Sequence, residues 1–440
     1  GVQECLDELT QVHQFVVQTL REAGDEMMWV ASMPCGLPAD DAIPIGRYGT
    51  SNVGLAKSFY RTGLGHRYGR RMQTISGIHY NWSMPDIGND EYFSLIRNFR
   101  RHSFLLLCLF GASPAVCSSF VAGRSHELQE LRGQTMHLPH ATSLRMGRLG
   151  YQSDAQSALA VSYNSLDSYG ASLQDALTRP YPAYEAIGLR DAEGQYRQLA
   201  TSLLQIENEF YGTIRPKRVI RRGERPLHAL RERGVEYVEV RCMDLDPFER
   251  IGIAAPTLRF LDVFLLHCLL ADSPPDSPQE ISELARNQQR AAARGREPGL
   301  VLERGDELVL LRDWAAQLLG QCEPIAQALD RAHGGAAYRD GVAAAAAAMR
   351  EPATLPSARV LATLLNDFEG SYVRFVCAQS AQSHRALLAL PLAPALRERF
   401  AGLALGSLAE QRSAEAADTL PFEEYRRQYL AAQRLGLTGT

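Results

Sequence analysis

The sequence predicts an α+β chain forming a single domain over residues 1–440, with a site-bearing α+β part at 1–255 and a mainly helical bracing part at 256–440. Short alternating, β-branched runs separated by Gly and Pro occur only in the first part. After Pro256 the apolar residues recur at helical spacing. From the start, Leu6, Leu9, Val12, Phe15, Val16 and Leu20 mark an amphipathic helix. Residues 74–84, with Ile75, Ile78, Tyr80 and Trp82, read as a strand, residues 203–211 as another, and 235–240 (Val-Glu-Tyr-Val-Glu-Val) as a half-buried one. The apolar run 104–110 is too short to cross a bilayer and reads as a buried helix before a turn at Ser113-Pro114. Leu258, Leu261, Phe264, Leu265, Cys268 and Leu269 form a helical stripe, which 308–319 and the alanine run 342–349 continue. Alanine favours helix but buries little, so the alanine run is expected at the periphery. Ser-Pro-Pro-Asp-Ser at 273–277 and Glu-Pro-Gly at 297–299 are breaks.

The formal net charge of −4 gives no reason to expect nucleic acid or an anionic membrane as partner. The eight cysteines include no Cys-x-x-Cys pair, which argues against a zinc finger and a disulfide framework and for inert thiols in a reducing compartment. No signal-peptide pattern opens the chain. A soluble protein is expected.

Several familiar motifs fail on chemistry. Gly49-Thr-Ser-Asn-Val-Gly54 lacks the lysine directly after its second glycine that a P-loop needs to reach terminal phosphates. Gly63-Leu-Gly65 lacks the third glycine of a dinucleotide fingerprint. Gly111-Ala-Ser113-Pro-Ala115 puts a proline where a nucleophile elbow requires an N–H for its oxyanion hole. His126-Glu127 has no second histidine at zincin spacing.

Four segments then concentrate polar residues among strand formers: Tyr60-Arg61 with Arg67, Arg70 and Arg71; 77–83 with His79 and Asn81; 206–218 with Glu207, Glu209, Arg215 and Lys217; and 236–241 with Glu239 and Arg241. Alternation puts Glu239 with Arg241, Glu207 with Glu209, and His79 with Asn81 on common strand faces. Such faces suit a divalent cation and the phosphate it escorts. Taken singly, each reads first as a solvated face with surface ion pairs, and His79 equally as a hydrogen-bonded core histidine.

These segments carry a resemblance to the glutamate–cysteine ligase family of proteobacteria. The matching stretches are Tyr48-Gly-Thr-Ser-Asn52, Arg67-Tyr-Gly69, Met72-Gln-Thr-Ile-Ser-Gly77, His79-Tyr-Asn81, Phe110-Gly-Ala-Ser-Pro-Ala115, Ala141-Thr-Ser-Leu-Arg145, Leu149-Gly-Tyr151, Leu204-Gln-Ile-Glu-Asn-Glu209, Ile214-Arg-Pro-Lys-Arg218 and Glu236-Tyr-Val-Glu-Val-Arg241. The resemblance implies a glutamine-synthetase-like fold, a curved and mostly antiparallel sheet forming a funnel with helices outside. It implies a cytoplasmic enzyme that joins L-glutamate to L-cysteine using ATP and Mg²⁺ (Mn²⁺ being the other candidate), through a γ-glutamyl phosphate. By position it makes His79 and Glu239 metal ligands, and Arg61 and Arg145 the cations on substrate carboxylate. Arg241, with Arg145, serves the chemical step; Tyr60, Tyr151 and Tyr211 line the cysteine pocket; Arg215 and Lys217 meet nucleotide phosphates.

The chain departs from the family pattern in a short segment at 85–91 and in lacking, before Tyr48, the family's Gly-x-Glu-x-Glu strand, whose carboxylates complete the metal cluster. An N-terminally incomplete record of an active enzyme, a short form needing a second chain, and a non-catalytic or regulatory relative are then the alternatives, beside a ligase for another amine. The expectation for this chain alone is a cavity open on one side, an unpaired sheet edge and little or no activity.

Overall fold

The computed structural model describes residues 1–24, 26–150, 155, 159–221 and 223–436. Its strands form two three-stranded antiparallel sheets and a hairpin. The first sheet has the order β1 (Ile78–Trp82), β6 (Tyr237–Met243), β5 (Ile214–Lys217); the second runs β2 (Ala115–Cys117), β4 (Thr135–His137), β3 (Gln129–Leu131). β7 (Val301–Arg304) and β8 (Glu307–Leu310) make the hairpin. The described helices are, in chain order, α1 (Val2–Gly24), α2 (Asn52–Tyr68), α3 (Asn89–Phe110), α4 (Ser118–Val121), α5 (Leu166–Thr178), α6 (Pro182–Ile187), α7 (Pro226–Arg233) and α8 (Ala255–Leu270). Then follow α9 (Pro278–Arg294), α10 (Leu311–His333), α11 (Ala337–Arg350), α12 (Pro356–Asp367), α13 (Tyr372–Ala389), α14 (Pro394–Ala417) and α15 (Phe422–Leu430).

The apolar run at 104–110 ends α3, the central helix of the main core, and Leu105, Leu106, Leu107 and Cys108 are all fully buried. One face of the first sheet, with Val238, Val240 and Ile214 also at 0 % exposure, belongs to the same core and packs on α3. Burying each such side chain is worth about 1.5–3 kcal/mol. The opposite face of that sheet is therefore left for polar residues. A second core joins the other sheet to α2 and to Tyr372, Phe375 and Val376 of α13.

Local chemistry sets where α2 starts and stops. Ser51 accepts a hydrogen bond from the Gly54 N–H at 3.2 Å, and Gly69 ends the helix at φ +85°. A side chain at Gly54 would meet the Tyr48 carbonyl, so the Gly-rich turn rejected as a phosphate loop is a close-packed helix start. That start is latched by the far end of the chain. Thr50 N–H donates to Glu415 at 2.7 Å, Asn52 N–H to Asp418, and the Asn52 amide to the Leu420 carbonyl at 3.0 Å.

Some expectations are corrected. Residues 203–211 are not a strand: Glu207–Glu209 is a 3₁₀ turn. Residues 308–310 belong to β8, not to a helix, the chain turning at Gly305 with φ +60°. The alanine run lies in α11, which buries Val342, Ala345 and Met349 while packing on α8 and α10. Cys35 and Cys117 form a disulfide across 82 residues, Cα to Cα 5.1 Å, where inert thiols were expected. Cys108, Cys242, Cys268 and Cys322 are buried free thiols. No described helix is long and apolar enough to cross a membrane.

Candidate active site

The polar face of the first sheet gathers its charged residues by register. Asn81 lies opposite Glu239, and Glu239 opposite Arg215, with Lys217 opposite Tyr237 on the same side. His79 reaches that face beside a register shift between Ile78 and Tyr80. Glu239 is the hub: its carboxylate sits 2.7 Å from Arg241 Nη1, 3.7 Å from His79 Nδ1 and 3.7 Å from Lys217 Nζ.

Burial works to raise the Glu239 pKa, but Lys217 and Arg241 outweigh it and hold the carboxyl below the usual carboxylate range. Burial, then Arg241, push His79 down to about 4 against the opposing pull of Glu239, so its imidazole is neutral near pH 7. Lys217 is lowered by burial, and so is Arg215, which is 5 % exposed. Arg215 donates from Nη2 to the Asn208 carbonyl at 3.0 Å, while its buried Nε finds no partner among the described residues. Three cations against one carboxylate leave this wall with an excess of positive charge, a chemistry suited to anions.

The wall opens into a cavity of ≈ 420 Å³ lined by Tyr60, Arg61, Met72, Asn208, Tyr211, Arg215, Lys217 and Arg241. A narrower recess is lined by His79, Arg145, Met146, Tyr211, Gly212, Arg241 and Gln288. Tyr211 and Arg241 line both, so the two are adjoining parts of one site. Arg145 thus shares its recess with His79, whereas Arg61 shares the larger cavity with Arg215 and Lys217. Tyr60 is hydrogen-bonded to Tyr211, and burial raises its phenol well above the ordinary value. Arg61 stacks over Tyr48, 5.4 Å from the ring centre. Tyr151 lies outside the described residues.

The acidic pair Glu207 and Glu209 is not on this wall. Glu207 is bound by Arg225 (Nη2 at 2.7 Å) and Glu209 by Arg67 at 2.9 Å, with both side chains of the second pair fully buried. They are internal braces. Conversely, the sequence reading missed Asp244, which accepts from Arg145 Nε at 2.7 Å with 0 % side-chain exposure. The one available signal was an acid directly after a buried strand.

Comparison with known proteins agrees with this geometry. The family model described as glutamate-cysteine ligase matches residues 1–291. The glutamate–cysteine ligase of Alcanivorax borkumensis is 45% identical over 443 residues, covering 96% of this chain and 84% of the relative. That of Hahella chejuensis is 46% identical over 451 residues, covering 98% and 85%. The crystal structure of the Francisella tularensis glutamate–cysteine ligase in complex with AMP superposes with a TM-score of 0.91 at 34% identity, covering 98% of this chain and 86% of that one. With this likeness running nearly end to end, through the sheet that carries Glu239, the helix that carries Arg61 and the 3₁₀ turn that carries Arg145, the chain belongs to the glutamate–cysteine ligase family.

Proposed function

We propose that this chain catalyses, in the cytoplasm, the ATP-dependent joining of the L-glutamate γ-carboxyl to the amine of L-cysteine, the first step of glutathione synthesis. The observation that carries the reading is the cationic wall of Arg215, Lys217 and Arg241 around Glu239, lining a cavity of ≈ 420 Å³. A carboxylate is a poor acyl donor, so the γ-carboxylate first attacks the terminal phosphorus of ATP, giving the acyl phosphate and ADP. Arg215 and Lys217 hold the nucleotide phosphates, and Arg241 stabilises charge on the transferring phosphoryl group. Arg61 and Arg145 hold substrate carboxylates, Arg145 from the recess beside Arg241. The cysteine amine then attacks the acyl carbon; phosphate leaves as the amide forms, and the amine proton passes to solvent or phosphate. Tyr60 and Tyr211, which line the larger cavity, give the thiol side chain an aromatic pocket, with Tyr151 proposed as its third member.

Mg²⁺, or Mn²⁺, is the proposed cation, and His79 and Glu239 would hold it. Their donor atoms stand 3.7 Å apart, against roughly 3 Å for adjacent ligands at about 2.1 Å bonds, so a side-chain shift of about 0.7 Å would bring both onto one ion. Such an ion supplies Lewis-acid polarisation and charge neutralisation for phosphoryl transfer. The test is phosphate release from ATP with glutamate and cysteine present. Dependence on both amino acids supports the reading, and equal release without an acceptor amine defeats it.

A further inference from the structure

Two segments of the chain have no part in the mechanism above, 110–115 and most of 141–145, and both converge on one buried carboxylate. Asp244 directly follows β6, the strand that carries Glu239 and Arg241. Its Oδ2 accepts from the Ala112 N–H at 2.8 Å and the Ser113 hydroxyl at 2.6 Å. Its Oδ1 accepts from the Ser143 hydroxyl at 3.0 Å and from Arg145 Nε at 2.7 Å. Arg145 Nη2 then donates to the carbonyls of Arg241 at 3.0 Å and Met243 at 2.6 Å. The orientation of this guanidinium, 1 % exposed, is thus set by three acceptors within residues 241–244.

The packing around this centre permits only small side chains. A Cβ at Gly111 would lie 2.4 Å from the Leu107 carbonyl and 2.7 Å from that of Thr142. A Cβ at Gly77 would lie 2.6 Å from Arg145 Cζ. A buried ion pair of this kind carries a large desolvation cost, and residues of similar volume without charge often stabilise a core equally well. Its presence at the rim of the recess that Arg145 lines with His79 and Arg241 therefore calls for a role beyond holding the fold.

We infer that Asp244 is the positioning residue for Arg145, fixing that guanidinium at a set distance from Arg241 so that the carboxylate-holding and phosphoryl-stabilising cations move as one unit. The inference rests on the proposed role of Arg145. Asp244 touches no reacting atom in it; it acts through the arginine.

The experiment uses the full chain with Asp244→Asn, which keeps the shape and removes the charge. The KM for the amino acid whose carboxylate Arg145 holds should rise about 10-fold or more, while the KM for ATP stays within about two-fold, because misorienting one cation weakens one contact. Arg145→Lys should raise the KM of that same amino acid. The double variant should be no worse than Arg145→Lys alone, since the two residues act as one. Parallel rises for ATP and amino acid, or multiplicative effects in the double variant, overturn the inference. So does a crystal structure of Asp244→Asn with the guanidinium unmoved. If Arg145→Lys leaves both amino acid KM values unchanged while the Asp244→Asn crystal shows a displaced guanidinium, the reading of Arg145 has failed, and the functional half of the inference falls with it. Should Asp244→Asn not fold, Ser113→Ala and Ser143→Ala each loosen the carboxylate by one hydrogen bond. Each should then raise the same KM about 2–5-fold, and an unchanged value overturns the inference.

Discussion

Replacing Gly77 with alanine adds a methyl group at the place where β1 approaches Arg145. That methyl would stand 2.6 Å from Arg145 Cζ, 2.7 Å from Nη1 and 2.9 Å from Nε, whereas ordinary contact begins at 3.4 Å. The shortfall at Cζ is 3.4 − 2.6 = 0.8 Å. Arg145 cannot retreat without breaking its bonds to Asp244, Arg241 and Met243. The backbone leading into His79 must give way instead, or the two must share the shift. Displacements near 1 Å in a catalytic constellation cost on the order of 100-fold, so kcat/KM for γ-glutamylcysteine formation should fall about 10- to 100-fold. Overpacking adds a stability loss of about 1–3 kcal/mol. Gly320→Ala is the control, being a helical glycine with nothing within 4 Å of its new methyl. It should leave kcat/KM unchanged and stabilise slightly, alanine being the better helix former. Gly77→Ala with kcat/KM within two-fold of the parent would refute the claim that this contact fixes the site.

Further outcomes follow from burial. Glu209→Ala strands Arg67, Tyr68 and Gln205, all bonded to that fully buried carboxylate, and should cost about 3–5 kcal/mol in urea unfolding. His102, stacked on His267 at 5.6 Å, is pushed down to about 3 by burial, with smaller contributions from His267, Arg101 and Arg304. Because its folded value lies below the unfolded 6.5, its contribution is complete above pH 6.5 and is lost as pH falls toward 3. Relative to His102→Leu, the parent should therefore lose about 2 kcal/mol between pH 6.5 and 5 in denaturant titrations. In native protein a thiol reagent should modify the exposed Cys5 and Cys377 quickly, and Cys108, Cys242, Cys268 and Cys322 only on unfolding.

What was legible in the sequence was whatever depends on neighbours a few positions away. Alternation alone puts His79 with Asn81, and Glu239 with Arg241, on one face, because a strand has a period of two. The apolar run of α3 announces burial in the same way. The same alternation misled at Glu207 and Glu209, whose partners Arg225 and Arg67 lie 18 and 142 residues away. Satisfying two buried carboxylates outweighed any strand preference there. Asp244 was invisible for the same reason, since its partners come from residues 112, 113, 143 and 145. The Cys35–Cys117 bridge spans 82 residues with no spacing signal. The β7–β8 hairpin was readable after all, for Gly305-Asp306 between two apolar runs is a turn signature that helical periodicity obscured.

The latch between Thr50 and Glu415 spans 365 residues. A ribosome delivers the chain from its N-terminal end, so the helix bearing Tyr60 and Arg61 is synthesised long before its anchor exists. Until residues 415–420 emerge, the first turn of α2 has its Ser51 cap but lacks the bonds to Glu415, Asp418 and Leu420. The start of the helix that supplies Tyr60 and Arg61 to the cavity thus gains its last bonds only after nearly the whole chain has been made. A chain stopped at residue 410 would keep every residue that lines the cavity and still lose the bonds from Thr50 and Asn52 to Glu415, Asp418 and Leu420. The far C-terminal segment, remote from the chemistry in sequence, thus ties the helix that bears two cavity residues to a stretch made more than 350 residues later.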